Sequence, residues 1–260
     1  MKLTDDALVA VCLCTRLGRG PHVVPLHVRA WTDLILELQR EHQTTPSSLI
    51  DNPRTERIED LLRGLASVGL ELERLRSNGV WVLTRGDEDY PRLWKRALGA
   101  DAPPVLFGAG PRAALTAKLV AIIGARKPDE IESEFVRALG ELCARDGWGA
   151  VADGTPGVAR LAVESTLSAG GFAVEIVADS LEHALAKKHT REAILAGSLT
   201  VLTPHLPDAP FSGTRGAECA RLVEALALHS FSKIARPLRL PPGDSIESAF
   251  ADRGQAEFEL

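Results

Sequence analysis

From residue 119 onward, short continuous apolar runs alternate with longer stretches in which apolar positions recur every three or four residues. Leu119, Val120, Ala121, Ile122 and Ile123 form one such run. It is β-branched and too short for a free-standing helix, so it predicts a strand buried on both faces. Gly124, Ala125, Arg126, Lys127 and Pro128 then make a tight basic turn, and an acidic segment of helical period follows over 129–145. The same alternation predicts strand 148–152, helix 157–169, strand 172–178, helix 181–196, strand 199–203, helix 214–228 and an extended run over 231–236. Strands alternating with helices imply right-handed crossovers, hence an α/β fold with a doubly wound, mostly parallel Rossmann-like sheet. A strand, a glycine turn and a helix N-terminus together offer backbone N–H groups and a favourable dipole to an anion. The pattern therefore predicts a phosphate-bearing ligand at the carboxyl ends of the strands, seated on Gly124, Ala125 and the first turn of the helix over 129–145.

The first third reads differently. Helical periodicity predicts helices over 4–18, 28–43 and 57–68, with a short one starting at Thr45-Pro46 and a breaker at Gly18-Arg19-Gly20-Pro21. Extended runs Val80-Trp81-Val82-Leu83 and Pro103–Phe107 flank a helix opened by Tyr90-Pro91. The expected organisation is a small all-helical domain over 1–78, a connecting β/α segment over 79–118 and a Rossmann-like domain over 119–260.

Charge narrows the ligand class. The formal net charge is −5, so nucleic-acid binding requires a local basic patch rather than a global field. Cys12, Cys14, Cys143 and Cys219 are too scattered for a disulfide framework or a zinc site and read as reduced thiols. No basic leader and no stretch of spanning length is present, which places the chain in the cytoplasm. Phosphate-loop, zinc-protease and nucleophile-elbow signatures are absent, and G-x-G-x-x-G does not follow strand 119–123. The chain is therefore expected to be a binding protein without cofactor or metal. Base stacking has few donors, with Trp148, Phe172, Phe211 and Phe231 the candidates. Lys187, Lys188 and Arg191 form the densest basic cluster, either a solvated helix face or a backbone track.

The segments DEDYPRLW (87–94), PPVLFGAG (103–110), VAIIGARK (120–127), DGTPGVARLAVESTLSAGG (153–171), FSGTRG (211–216) and GDSIESAFADRGQ (243–255) stand in an order that resembles the DNA-processing protein A family, also called DprA or Smf. The resemblance implies a cytoplasmic homodimer that binds single-stranded DNA and hands it to a RecA-type recombinase in transformation, recombination or defence against foreign DNA. It also implies a chain ending without the winged helix found in many members. The family's Gly-Ser-Arg turn falls on Gly124, Ala125 and Arg126, giving the arginine a DNA phosphate to hold, with Lys127 beside it. Its serine, aspartate and histidine fall on Asp153, Ala159 and Val163, so the pocket is altered, and Asp153 would repel a phosphate. Gly154 and Gly157 remain, for close backbone approach to a ligand or for a tight turn. Arg215 keeps one arginine of a Phe-Pro-x-Arg-Asn-Arg run, and Ser245 is either an anion donor or a helix cap. Two rival readings stand beside this one: a nucleotide-sensing or nucleotide-processing module on the same fold, and a degenerate scaffold that binds nothing.

Overall fold

The computed structural model describes residues 4–41, 45–231 and 245–254, with side chains to residue 250. Its contacts divide it into two units, Met1–Ala109 with Thr203–Pro207, and Gly110–Leu202 with Asp208–Leu260.

In the first unit, α1 (Asp5–Cys14) begins where the Thr4 hydroxyl accepts the Ala7 N–H, and Asp5 and Asp6 complement the dipole of its first turn. Val9 to Leu13 are all buried, which makes α1 the centre of a helical core. Around it stand α2 (Val28–Arg40), a 3₁₀ turn (Pro46–Leu49), α3 (Glu56–Leu62) and α4 (Leu65–Ser77). The single helix expected over 57–68 is thus two. In an uninterrupted helix the Leu61 carbonyl would accept from residue 65. Here it takes the Cys12 thiol at 3.0 Å and the Arg19 guanidinium at 2.9 Å. The Arg19 side chain crosses so close to Gly64 that a Cβ there would lie 2.6 Å from its Cδ. An antiparallel pair, β1 (Trp81–Thr84) and β2 (Val105–Ala109), completes the unit, joined through α5 (Arg92–Leu98). Tyr90 and Trp94 meet edge to face at 6.1 Å, and the Tyr90 hydroxyl donates to the Pro103 carbonyl.

The second unit follows the alternation read from the sequence: β3 (Leu119–Ile122), α6 (Glu130–Asp146), β4 (Gly149–Ala152), α7 (Val158–Ser168), β5 (Ala173–Ile176), α8 (Leu181–Ala186), α9 (Lys188–Leu195), β6 (Leu199–Thr203), α10 (Gly213–Leu226), β7 (His229–Phe231) and α11 (Ile246–Gly254). The strand order is β6-β5-β4-β3-β7, and every pairing in it is parallel. From β3 the chain steps one way to β6; α10 then carries it back past β3 to β7. Right-handed crossovers put α6 and α7 on one face, where they pack together, and α10 on the other, across β3, β4 and β5. The reversal falls between β3 and β7, so the crevice of this sheet opens at the carboxyl end of β3.

Two expectations are corrected here. The helix over 181–196 is broken at Lys187, which is extended (φ −70°, ψ 132°) and separates α8 from α9; no glycine or proline marks the break. The extended run expected over 231–236 starts earlier, at His229, and residues 232–236 lie outside the described residues.

Candidate nucleic-acid interface

The turn after β3 and the turn after β4 are built as one piece. The Val158 N–H, at the start of α7, donates to the Ala125 carbonyl at 3.0 Å. Gly157 adopts φ 95°, and a Cβ on it would lie 2.3 Å from the Ala125 oxygen and 2.6 Å from the Arg126 carbonyl. A Cβ on Gly124 would sit 2.8 Å from a Val158 methyl. Both glycines are therefore required by contact between the two loops, while Gly154 (φ 68°) is required by its own turn. On this base Arg126 and Lys127 are exposed, and neither has an ion-pair or hydrogen-bond partner among the described residues.

The first turn of the following helix, predicted as part of the seat, holds a capping box of the chain's own carboxylates. Asp129 caps α6 by accepting the Glu132 N–H at 2.9 Å, and the Glu132 carboxylate returns to the Asp129 N–H at 3.0 Å. With Glu130 in the same turn, the positive end of the helix dipole is already neutralised by the chain's own carboxylates. The basic character of the edge thus rests on the exposed loop cations.

Asp153 does not stand free beside the loop. Its Oδ1 accepts both the Thr155 N–H at 3.0 Å and the Thr155 hydroxyl at 2.7 Å, closing the turn that leads to Gly157. Beneath Gly154 lies Glu175 of β5, whose carboxyl carbon would be 4.0 Å from a Cβ on that glycine. Burial raises the Glu175 pKa, Lys187 and Arg160 draw it down, and Glu164 and Asp153 push it up again. Sequence reasoning missed this residue, although one glutamate in the apolar strand AVEI was the available signal. Ala159 and Val163 are buried on the inner side of α7.

The other expected residues are less available. Arg215 gives one guanidinium nitrogen to the Pro210 carbonyl and lies near Glu218. Lys188 pairs with Glu192 at 3.7 Å, and Lys187 faces Glu175. Ser245 caps α11: its hydroxyl accepts the Ser248 N–H at 3.1 Å, and its own N–H goes to the Ser248 hydroxyl. Gly243 and Asp244 lie outside the described residues. Among the aromatic candidates Trp148 and Phe231 are buried, and Phe172 is half-buried against Gly149. Phe211 is 49% exposed; its N–H is tied to Asp179, and its ring lies against Gly216. No cluster of metal-ligating side chains occurs among the described residues, and no described helix is long and apolar enough to cross a membrane.

A model of the family described as DNA recombination-mediator protein A matches residues 81–232. No curated protein sequence matches the chain significantly. The fold is similar to the X-ray structure of DNA processing protein A from Streptococcus pneumoniae, with TM-score 0.62 and 16% identity over 99% of this chain and 85% of that one. A structure of DNA processing protein A from Helicobacter pylori, described for its single-stranded DNA binding mode, gives TM-score 0.49 and 18% identity over 68% of this chain and 88% of that one.

Proposed function

This chain belongs to the DNA recombination-mediator protein A family, and from that membership we propose that it binds single-stranded DNA through the loop after β3, with Arg126 and Lys127 on the phosphates. The observation that carries the reading is the pair of exposed cations, unpartnered among the described residues, on a loop held by Gly124, Gly157 and the Val158–Ala125 hydrogen bond. A guanidinium engages two phosphate oxygens at once, and a prefixed loop loses little entropy when it does so. Phosphate contacts carry no base information, so the binding has little sequence preference. Phe211 supports the same reading, as an exposed ring for a base to stack on at the turn after β6.

The self-capped N-terminus of α6 argues against the dinucleotide reading, in which the pyrophosphate takes that helix end. The remaining parts of the proposal are cytoplasmic action, a homodimer, and delivery of the strand to a RecA-type recombinase. Fluorescence anisotropy with a labelled oligonucleotide tests the central part. Micromolar or tighter binding to single strands that a fluorescently silent oligonucleotide of different sequence competes away supports it. Absence of binding at low salt removes it. Light scattering at micromolar protein tests the dimer, and a monomer mass rejects it.

A further inference from the structure

The first unit carries a cleft that DNA binding by the second does not use. It encloses about 620 Å³, within the range of pockets that hold small organic ligands. One wall is apolar, from Ala10 of α1, Trp31, Ile35 and Leu36 of α2, and Pro46. The polar part of the lining is the turn Thr84–Asp87 and Lys95 of α5.

The charges on these walls are not equally committed. Asp87 accepts the Thr84 N–H at 2.6 Å and the Thr84 hydroxyl at 2.9 Å. Asp6 accepts the Ser47 N–H at 2.8 Å. Both lining carboxylates therefore serve their own backbone. Arg85 gives one N–H to the Thr32 hydroxyl at 3.1 Å and keeps donors to spare. The Lys95 ammonium lies 5.4 Å from the Tyr90 ring centre and has no hydrogen-bond acceptor among the described residues. Burial holds Lys95 below the ordinary lysine range, and Arg85 and Arg92 lower it further, with Asp87 only partly offsetting them. The lining is formally balanced, Asp6 and Asp87 against Arg85 and Lys95, but among these groups the two cations keep uncommitted donors, and their mutual repulsion is relieved by an anion that accepts from both.

We propose that this cleft binds a small phosphate ester, its charged head on Arg85 and Lys95 and its apolar or planar body along Trp31, Ile35 and Leu36. Thr32 and Gln39 stand on its lining to meet polar edges of that body. The head supplies the charge-assisted contacts and the body supplies the area, so neither half alone suffices.

Calorimetric titration of the full chain tests this with adenosine 5′-monophosphate, adenosine and inorganic phosphate as separate probes. The monophosphate is expected to bind about tenfold or more tighter than either fragment. Lys95→Met, which removes no hydrogen bond seen among the described residues, should weaken it about tenfold and leave oligonucleotide binding unchanged. Arg126→Ala should do the reverse, so loss of the cleft and loss of the DNA loop are read apart. Phosphate binding as tightly as the monophosphate, or a monophosphate affinity lost in Arg126→Ala and kept in Lys95→Met, overturns the proposal. So does the absence of heat for the monophosphate at millimolar concentration.

Discussion

Gly157 carries more of the candidate interface than any cation does. Its positive φ and the 2.3 Å gap to the Ala125 oxygen leave no room for a methyl group, so Gly157→Ala must move the Arg126 loop as well as strain its own backbone. The cost should be about 1–3 kcal/mol in chemical denaturation, together with weaker oligonucleotide binding although no charge has been removed. Equal stability and equal affinity would mean that the two loops are not one unit. The glycines were legible as glycines, and a turn or a close approach was the open question. Gly154 takes the turn, while for Gly157 the structure supplies a third answer, contact with a second loop, which no local pattern encodes. Glu175 was missed for a related reason: in an apolar run it reads as an irregularity, and only the packing of Gly154, Arg160 and Lys187 around it gives it a setting. Arg160 is exposed on α7 and lowers the Glu175 pKa, so it belongs to the setting of that carboxylate.

At the scale of elements, α6 shows where motif reasoning overreached. A glycine turn followed by a helix suggests an anion seat, but the same sequence holds Asp129 and Glu132 three residues apart, the spacing of a capping box. Asp129→Ala should cost about 1 kcal/mol of stability and leave oligonucleotide affinity no weaker, because a cap and not a binding group is lost. A fall in affinity comparable to that of a loop-cation variant would restore the helix end as the seat.

The β7 edge of the sheet makes a pH prediction. His229 of β7 stacks on Phe250 of α11 at 4.2 Å and lies 5.2 Å from Trp148, while Glu247 pairs with Lys118 beside it. Burial holds the His229 pKa below its ordinary value, with Glu247 opposing the shift. The unfolded chain, where histidine titrates near about 6.5, then binds more protons than the folded one, so stability rises with pH. Stability is full above that value, falls as pH drops below it, and levels once the folded histidine is also protonated. His229→Gln should flatten this leg of a denaturation series run from neutral to acidic pH; an unchanged slope would exclude His229 as its source.

For the whole molecule, the α/β alternation was legible because each buried parallel strand is a short apolar run between longer periodic helices. Breaks set by a distant side chain, such as Arg19 at Gly64, or by an unmarked turn at Lys187, were not. The net charge of −5 was equally plain and has a functional consequence. A chain with no global basic field must draw DNA affinity from a few local contacts, so losing one of them should be conspicuous.

That consequence is tested most directly by oligonucleotide anisotropy on the unmodified chain and on Arg126→Ala across a salt series. The account predicts that log K falls linearly with log salt. Arg126→Ala should lose about one to two decades of affinity, about 1.5–3 kcal/mol, with the slope shallower by about 0.7 and the fold unchanged. Arg126→Lys should recover only part of it, since the charge returns without the fork. An Arg126→Ala protein that binds as tightly as the original with the same salt slope would contradict the assignment of the β3 loop as the DNA interface.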